Sequence, residues 1–408
     1  MPLNRCKICQ DPYEEILSFG KMPLGNGFLT EKQIPDEYFY EMRVGFCERS
    51  MMFQLINQPN PEQMFHEEYA FFTGSSEGMK KHFRQFSEEI ISNLRVIDQE
   101  TFVVEIGSND GTMLQNLSEK GIRCLGIEPS NNVAQEAIKN GVDTKITFFN
   151  DKVAKEIQDE NGFASVIYAA NVMCHIPNIN SILKGISILL DKNGVFYFED
   201  PYLGDVINKN SFDQIYDEHV FLFSLHSVQF IASMNGLQLI NAEPQTTHGG
   251  SMRYTLCHKG RFSVSENTNK LIQKEKSLGL NRLNTFKSFE RNIKRIKEQL
   301  LDLLLDLKDK GKLVCGYGAT SKSTTILNYC GIDHSLISWI SDTTATKQGK
   351  LTPGTHIPVV PYSKFKEDTP DYAVLFAWNH ADEIMQKEKE FSRNGGRWIT
   401  FFPEVKVS

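Results

Sequence analysis

Apolar residues recur along the central part of the chain in two alternating patterns. Short apolar and β-branched runs, typical of buried strands, alternate with segments whose apolar positions return every three or four residues, as in amphipathic helices. The predicted strands are 102–106, 123–127, 165–169 and 194–199, and the predicted helices are 79–93, 112–120, 131–140, 152–159 and 178–190. This alternation predicts a doubly wound α/β domain with a parallel sheet, whose ligands bind at the carboxyl ends of the strands.

A second region with the same alternation lies near the C-terminus, where the predicted strands are 313–315, 336–340 and 372–377. A Lys-rich segment, 267–310, precedes it with helical periodicity and ends at Gly311. Because the chain is too long for one ordinary core, we expect an α/β protein of several parts. These are an N-terminal zinc-ribbon-like module (1–77), a cofactor-binding doubly wound domain (78–262), a helical connector (263–310) and a C-terminal Rossmann-like domain (311–408).

The turn 107–111, Gly-Ser-Asn-Asp-Gly, joins the strand 102–106 to the following helix. In such a unit the glycines let a ligand approach the backbone, and the helix N-terminus offers unpaired N–H groups. Glu128 ends the next strand about twenty residues later, at the distance where an acidic residue binds ribose hydroxyls. The candidate cofactor-binding residues are Glu105, Gly107, Asn109, Asp110, Glu128 and Asn171.

This loop lacks the G-x-G-x-x-G sequence that binds a dinucleotide pyrophosphate. Glu105 and Asp110 place carboxylates beside the pocket, where they would repel a pyrophosphate and attract a cation. The pattern resembles motif I of the class I S-adenosylmethionine methyltransferases, whose cofactor carries a ribose and a cationic sulfonium. The resemblance implies that S-adenosylmethionine is the cofactor.

Composition and charge limit which binding partners and which cellular compartment we expect for this protein. The chain has 408 residues and a formal net charge of -7, and no basic stripe alternates with aromatic residues, which argues against nucleic acid. It has no apolar run long enough to span a bilayer, and its N-terminus lacks the apolar core of a signal peptide. We therefore expect a soluble, cytoplasmic protein without a membrane partner. The oligomeric state stays open.

Cys6 and Cys9 form a C-x-x-C pair, and Cys47 follows about forty residues later. A structural zinc site of the ribbon type needs two such pairs, because four thiolates close the tetrahedron. Ser50 occupies the fourth position, so the predicted zinc site is incomplete. Either another group such as His66 completes it, or the cysteines are buried thiols that bind metal weakly or not at all.

A phenol, two carboxylates and an imidazole lie close together in the segment Tyr216, Asp217, Glu218 and His219. The segment should cover the carboxyl edge of the sheet. An imidazole titrates near pH 6.5, and a neighbouring carboxylate can fix its tautomer and raise its basicity, so the group can serve in acid–base catalysis. His175 follows the strand 165–169 in a loop that should also close over the cofactor. The alternative is chance proximity of charged residues.

Seven segments together extend the resemblance over essentially the whole chain. They are EIGSNDGTML, GIEPS, ANVMCHI, FDQIYDEHVFLFS, HGGSMRY, KQGKLTPGTHIPV and FAWNHADEI. In this order they resemble the motifs of the sugar-nucleotide C-methyltransferases of deoxysugar pathways, such as tetronitrose C-3-methyltransferase. The resemblance implies methyl transfer to carbon on a 4-keto sugar that is bound to a nucleotide diphosphate, commonly TDP.

The resemblance also implies roles for individual residues. His219 is the expected general base, and Glu218 is expected to orient or polarise it. Tyr216 and His175 are expected to bind the keto or enolate oxygen, and Tyr69 resembles a tyrosine that the family's N-terminal module contributes. The family has a fourth zinc-ligand cysteine at position 50 and usually a histidine at position 217, so Ser50 and Asp217 depart from its pattern.

The C-terminal domain is expected to hold the sugar nucleotide. A turn of small residues, 316–323, precedes a helix and contains Lys322 and several hydroxyl groups, which suits a diphosphate. The candidate substrate-binding residues are His248, Ser251, Arg253, Tyr317, Lys322, Asp342, Asn379 and His380. Three rival functions stay open: O- or N-methylation of a related sugar, a nicotinamide-dependent sugar-nucleotide reductase or epimerase, and a zinc-ribbon scaffold.

Overall fold

The computed structural model of the protein describes residues 5–60, 72–94 and 101–408. The strands are β1 (Glu14–Pro23), β2 (Phe39–Cys47), β3 (Met52–Leu55), β4 (Phe102–Ile106), β5 (Arg123–Ile127), β6 (Thr144–Lys145), β7 (Ala164–Ala170), β8 (Leu190–Pro201), β9 (Phe221–Leu222), β10 (Leu237–Gln245), β11 (Ser251–His258), β12 (Val314–Tyr317), β13 (Ile340–Asp342), β14 (Val359–Pro361), β15 (Tyr372–Leu375), β16 (Arg397–Thr400) and β17 (Lys406–Val407).

The helices are α1 (Glu77–Asn93), α2 (Thr112–Ser118), α3 (Asn131–Lys139), α4 (Asp151–Asn161), α5 (Ile179–Leu189), α6 (Leu203–Lys209), α7 (Leu225–Met234), α8 (Glu266–Leu278), α9 (Leu283–Asp309), α10 (Ser321–Cys330), α11 (Tyr362–Glu367), α12 (Ala381–Lys387) and α13 (Lys389–Arg393). Each predicted strand and helix of the central domain is present. Their ends differ from the prediction by a few residues, most at β8, which begins at Leu190 directly after α5.

The central sheet has seven strands in the order β10-β11-β8-β7-β4-β5-β6. Strands β4 to β8 run parallel, and the β10–β11 hairpin joins antiparallel to β8. The strand order reverses between β4 and β7, so the loops after Ile106 and Ala170 lie side by side. Such a reversal is where ligands bind in open α/β sheets. The predicted fold class is confirmed.

The N-terminal sheet is antiparallel and is completed by a strand from the central domain. β1, β2 and β3 follow one another, and β9 pairs with β3 through Phe53 opposite Leu222 and Gln54 opposite Phe221. The segment 212–219, which we call the lid, directly precedes β9. Because β9 is hydrogen-bonded to the N-terminal sheet, the lid is fixed between that sheet and the central domain.

The C-terminal sheet has the order β14-β13-β12-β15-β16-β17 and is parallel except for β17. Parallel pairing brings the carboxyl ends of β12, β13 and β15 to one edge, as the sequence predicts. No helix among the described ranges is both long enough and apolar enough to cross a membrane.

Helix α9 is the core element that joins the N-terminal sheet to the C-terminal domain. Its buried residues recur every three or four positions: Phe286, Phe289, Ile293, Ile296, Leu300, Leu304 and Leu307. The ring of Phe286 lies 4.1 Å from that of Phe46 in β2, and the stripe belongs to one apolar cluster with residues of β12, β13 and β15. The predicted helical connector therefore carries much of the apolar core.

Truncation of the buried α9 stripe should destabilise the protein. Leu300 is fully buried, so we expect Leu300→Ala to lower the free energy of unfolding by about 2–5 kcal/mol through lost apolar burial and the cavity that remains. Leu305 lies on the same helix with 42% of its surface exposed, so Leu305→Ala is the matched control. Denaturant titration compares the two variants, and equal midpoints would contradict the assignment of the stripe to the core.

Candidate active site

The loop after β4 is organised by the carboxylate of Glu128 at the end of β5. Its two oxygens accept hydrogen bonds from the backbone N–H groups of Asn109 (3.0 Å) and Ser130 (2.8 Å). Glu105 is buried beside this loop, and its Oε2 has no hydrogen-bond partner among the described residues. Burial raises the pKa of Glu105 well above its ordinary value, and the nearby carboxylates of Asp110 and Glu128 raise it further.

The same loop contacts the turn that begins α1. The side chain of Asn109 accepts a hydrogen bond from the N–H of Thr73 (2.9 Å), and Asp110 accepts one from the N–H of Gly74 (2.7 Å). The hydroxyl of Thr112 donates to the other oxygen of Asp110 (2.6 Å). Asn109 and Asp110 are therefore held by these hydrogen bonds at the reversal point of the sheet.

Gly107 lets this loop meet the loop that follows β7. Its φ is +69°, a conformation that favours glycine, and its N–H donates to the carbonyl of Ile127 at 2.7 Å. A Cβ at this position would overlap Cγ2 of Val172. The buried carboxyl group of Glu105, which a nearby positive charge would ionise, and this glycine-dependent cradle suit a cationic cofactor that approaches the backbone closely.

The loop after β7 carries two of the predicted residues, Asn171 and His175. The N–H of Asn171 donates to the carbonyl of Glu199 (2.7 Å), and its side-chain amide lies 3.2 Å from Nε2 of His248. The ring of His175 stacks near the ring of His219, with centroids 5.4 Å apart. The lid therefore lies over the predicted cofactor edge of the central sheet.

The tautomer of His219 follows from its contacts. Its Nδ1 lies 2.7 Å from the carbonyl oxygen of Gln214, which can only accept, so Nδ1 carries the proton. Nε2 is then unprotonated, and it accepts a hydrogen bond from the hydroxyl of Tyr216 at 3.1 Å. Burial lowers the pKa of His219 well below its ordinary value, and the neighbouring His175 and Lys322 lower it further. His219 is therefore a neutral imidazole whose Nε2 can accept a proton.

The orienting group of His219 differs from the one expected. Glu218 accepts a hydrogen bond from the amide of Asn26 in the N-terminal module (2.8 Å), whereas the backbone carbonyl of Gln214 holds His219. Asp217 accepts from the N–H of Gly25 at 2.9 Å. Burial, together with the charge of Asp217, raises the pKa of Glu218 to about 8, and burial raises that of Asp217 to about 6.

His248 connects the central domain, the lid and the C-terminal domain. Its carbonyl oxygen accepts hydrogen bonds from the side chains of Gln214 (2.7 Å) and Lys322 (3.0 Å). Burial lowers the pKa of His248 to about 3 and that of Lys322 to about 8. The structure therefore brings His248 and Lys322 next to the lid, from two different domains.

Three other predicted substrate residues make internal contacts. Arg253 binds Glu199 (2.6 Å) and Glu89 (2.8 Å), and the hydroxyl of Ser251 donates to the carbonyl of Thr247 at 3.1 Å. The hydroxyl of Tyr317 donates to Glu388 (3.0 Å) within an aromatic cluster of the C-terminal domain. These contacts hold the fold together, so a direct role in substrate binding stays a prediction for each of them.

The remaining predicted residues of the C-terminal domain lie at its loop edge. Asp342 accepts hydrogen bonds from the N–H groups of Ala319 and Thr344, both at 2.7 Å. Asn379 and His380 belong to the short turn Trp378–His380, whose Trp378 indole donates to Asp213 of the lid at 2.6 Å. Two predicted residues of the N-terminal module, the catalytic candidate Tyr69 and the candidate fourth zinc ligand His66, lie outside the described residues.

Sequence reasoning gave no role to the loop 24–28, which links all three parts of the site. Besides the contacts of Gly25 and Asn26 with the lid, the hydroxyl of Ser321 in α10 donates to Asn26 at 2.5 Å, and that of Thr324 donates to the carbonyl of Gly25 at 2.9 Å. Its two glycines indicate only a turn. Lys347 lies beside this loop, with its ammonium group 4.7 Å from the ring centre of Phe28.

The three cysteines of the N-terminal module converge on one point. The ligand atoms of Cys6, Cys9 and Cys47 lie within 4.8 Å of one another, and the hydroxyl of Ser50 lies 3.3 Å from the sulfur of Cys6. The hydrogen bond between Cys6 and Cys47 lowers the pKa of Cys6 to about 5 and raises the pKa of Cys47 above its ordinary value, so it favours the zinc-binding thiolate at Cys6 but not at Cys47. Three sulfurs and one hydroxyl thus occupy the corners of a candidate zinc site.

Comparison with known proteins identifies the family. Family models match three consecutive regions: a zinc binding domain over residues 6–65, a methyltransferase domain over 79–242 and a C-methyltransferase C-terminal domain over 246–403. The C-methyltransferase NovU of Streptomyces niveus is 33% identical over 413 residues, which cover 100% of this chain and 97% of NovU. The chain belongs to the C-methyltransferase family. This membership confirms the expected enzyme class, an S-adenosylmethionine-dependent methyltransferase.

Solved structures of other methyltransferases are similar to less than half of this C-methyltransferase. The magnesium protoporphyrin IX methyltransferase ChlM of Synechocystis, solved with bound S-adenosylmethionine, is 12% identical, with a TM-score of 0.34 over 45% of this chain and 80% of ChlM. An S-adenosylmethionine-dependent methyltransferase of Anabaena variabilis is 17% identical, with a TM-score of 0.35 over 43% of this chain and 84% of that protein.

Completion of the thiolate set should tighten zinc binding. We expect Ser50→Cys to retain more zinc than the unchanged C-methyltransferase after dialysis against a chelator, because a thiolate is a better zinc ligand than a hydroxyl. Metal content per chain measures the effect. Ser392→Cys adds a thiol at an exposed position and is the control. Equal zinc retention by both variants would show that position 50 does not face the metal.

Proposed function

We propose that the enzyme methylates a carbon atom next to the ketone of a nucleotide-linked 4-keto-deoxysugar, with TDP as the nucleotide. One observation carries the proposal: Nδ1 of His219 donates to the carbonyl of Gln214 at 2.7 Å, which leaves Nε2 unprotonated, and the ring lies 5.4 Å from that of His175 in the loop after β7. A neutral imidazole in this position is suited to remove a proton from carbon. NovU, named as a C-methyltransferase, supports carbon as the acceptor atom.

His219 and the residues around it have different roles in the proposed reaction. A ketone acidifies the neighbouring C–H bond, and Nε2 of His219 takes that proton. With substrate bound, the hydroxyl of Tyr216 would turn from Nε2, 3.1 Å away, to the oxygen that becomes negative, and the ring of His175 would donate to the same oxygen. When bound, S-adenosylmethionine supplies an electrophilic methyl group on a sulfonium. Burial of the lid excludes water, which would otherwise reprotonate the carbon.

The nucleotide is proposed to bind where the loop 24–28, the lid and the C-terminal domain meet. Lys347 and Lys322 both lie at this junction, since Lys347 donates to the carbonyl of Ala319 (2.8 Å) and Lys322 to that of His248 (3.0 Å). Both lysine side chains are partly buried, and the loss of solvation lowers the pKa of each. A diphosphate would restore charge balance there, because it brings negative charge to two poorly solvated cations.

Incubation with a panel of TDP-4-keto-deoxysugars and isotope-labelled S-adenosylmethionine tests the proposal. We expect a new carbon–carbon bond at the position next to the ketone, located by NMR. Methyl groups found only on oxygen or nitrogen would favour the rival methylations. Tight binding of a nicotinamide cofactor, with none of S-adenosylmethionine in the same calorimetric assay, would favour a reductase or epimerase and contradict the proposal.

A further inference from the structure

A second group of metal-ligand atoms lies inside the candidate active site, separate from the N-terminal cysteines. The sulfur of Cys174 and one ring nitrogen each of His175 and His219 lie within 4.8 Å of one another. Ligand atoms around a tetrahedral zinc ion are about 3.3–3.6 Å apart, since Zn–N bonds are about 2.0–2.1 Å and Zn–S bonds about 2.3 Å. A side-chain movement of about 1 Å would therefore place all three atoms within bonding distance.

The backbone holds these three residues in place. Cys174 and His175 belong to the short turn Met173–His175 after β7, and the N–H of His175 donates to the carbonyl of Val172 at 2.9 Å. His219 comes from the lid, and its N–H donates to the carbonyl of Tyr216 at 3.0 Å. The ligands thus come from two segments that are fixed independently, which limits the cost of ordering them around an ion.

Asp200 provides a second, independent observation. It is fully buried at the end of β8, and its Oδ2 accepts a hydrogen bond from the N–H of Cys174 at 3.2 Å. Its other oxygen, Oδ1, has no hydrogen-bond partner among the described residues. A buried carboxyl group with an unpaired oxygen either keeps a proton, as the pKa of Asp200, raised by burial to about 8, indicates, or needs a cation beside it. A cation held by Cys174 would meet this need, because it would place positive charge beside Asp200.

We propose that Cys174, His175 and His219 bind one thiophilic divalent cation, with Zn²⁺ as the preferred ion, and that this cation inhibits methyl transfer. Two imidazoles and one thiolate are the ligand set that borderline-soft ions such as Zn²⁺ and Co²⁺ prefer over Mg²⁺ or Ca²⁺. On binding, the thiol of Cys174 releases its proton to solvent and each imidazole gives a ring lone pair. A water molecule completes the tetrahedron.

Inhibition follows from the tautomer of His219. Its Nδ1 is committed to the carbonyl of Gln214, so the lone pair that would bind the ion is the one on Nε2. That lone pair is also the one proposed to accept the substrate proton. The ion and the proton cannot share it, so bound metal and catalysis exclude each other. This consequence rests on the proposed function, whereas the binding of the ion does not.

Cobalt absorption tests the binding. The full-length protein carrying Cys9→Ser, which weakens the N-terminal site, is titrated with Co²⁺, and the thiolate-to-cobalt absorption band is recorded. Cys174→Ser and His219→Ala are then added separately to this background, so that one change lies in the turn after β7 and the other in the lid. We expect each of the two changes to abolish the band. We also expect each to weaken the metal affinity by at least about 10–100-fold, because even the removal of a residue that only hydrogen-bonds to a metal ligand causes a loss of that size.

Zinc inhibition is measured in parallel on the protein with an intact His219. We expect one equivalent of Zn²⁺ to abolish methyl transfer by the Cys9→Ser protein, and Cys174→Ser to restore the activity relative to its own metal-free rate. Melting temperatures confirm that each variant is folded. A cobalt band that both ligand changes leave intact, or no band at all in the Cys9→Ser protein, would overturn the proposal. A band lost in both variants without zinc inhibition would support the site and count against His219 as the base.

Discussion

Replacement of His219 by alanine should abolish turnover while the affinity for S-adenosylmethionine changes only a few fold. The imidazole is the only neutral base that the lid presents over the cofactor edge among the described residues, and its Nε2 is held unprotonated by the contact of Nδ1 with Gln214. General-base catalysis contributes about 10²–10⁴-fold, so we expect a loss of at least that size. Single-turnover rates and calorimetry with the cofactor measure the two quantities separately.

A matched control distinguishes this loss from a general effect of removing an imidazole. His334 is exposed in the C-terminal domain, so His334→Ala should retain full activity. The exchange of the substrate proton in deuterated buffer should also stop in His219→Ala, since the same group removes that proton. Normal exchange together with slow methyl transfer would place another base at the carbon and leave His219 with a later role.

The central domain was predictable from sequence because its pattern repeats. Apolar strands such as β4 and β7 alternate with amphipathic helices, and parallel pairing then fixes which loops share an edge. The cofactor loop followed from Gly107 and Glu128 for the same reason: both lie at strand ends, where the fold dictates their neighbours. The place of this candidate loop in the fold could be predicted to this extent without coordinates.

The orientation of the lid could not be predicted in the same way. Tyr216 to His219 are adjacent in sequence, yet Glu218 turns to Asn26 and His219 turns to a backbone carbonyl. These directions depend on β9, a two-residue strand that joins the N-terminal sheet, and such a short strand leaves no periodic signal. Contacts between segments some 190 residues apart, such as that of Asn26 with Glu218, are set by tertiary packing alone.

The glycine at position 107 should be essential for cofactor binding. Alanine there requires a left-handed backbone, which costs about 1–2 kcal/mol, and its Cβ would also overlap Val172, which adds about 1–3 kcal/mol of overpacking strain. The loop can relieve this strain only by moving away from the conformation that binds the cofactor. Since about 1.4 kcal/mol corresponds to a factor of ten in affinity, we expect Gly107→Ala to weaken S-adenosylmethionine binding by about tenfold or more.

Gly121 is a matched control for the backbone part of this effect. Its φ is +76°, similar to that of Gly107, but a Cβ at Gly121 would meet nothing within 4 Å. Gly121→Ala should therefore reduce stability without changing cofactor affinity. The double variant Gly107→Ala, Val172→Ala removes the overlapping methyl groups and should recover part of the lost affinity, as measured by calorimetry. Equal cofactor affinities in Gly107→Ala and Gly121→Ala would show that the cofactor does not depend on the close approach of these two loops.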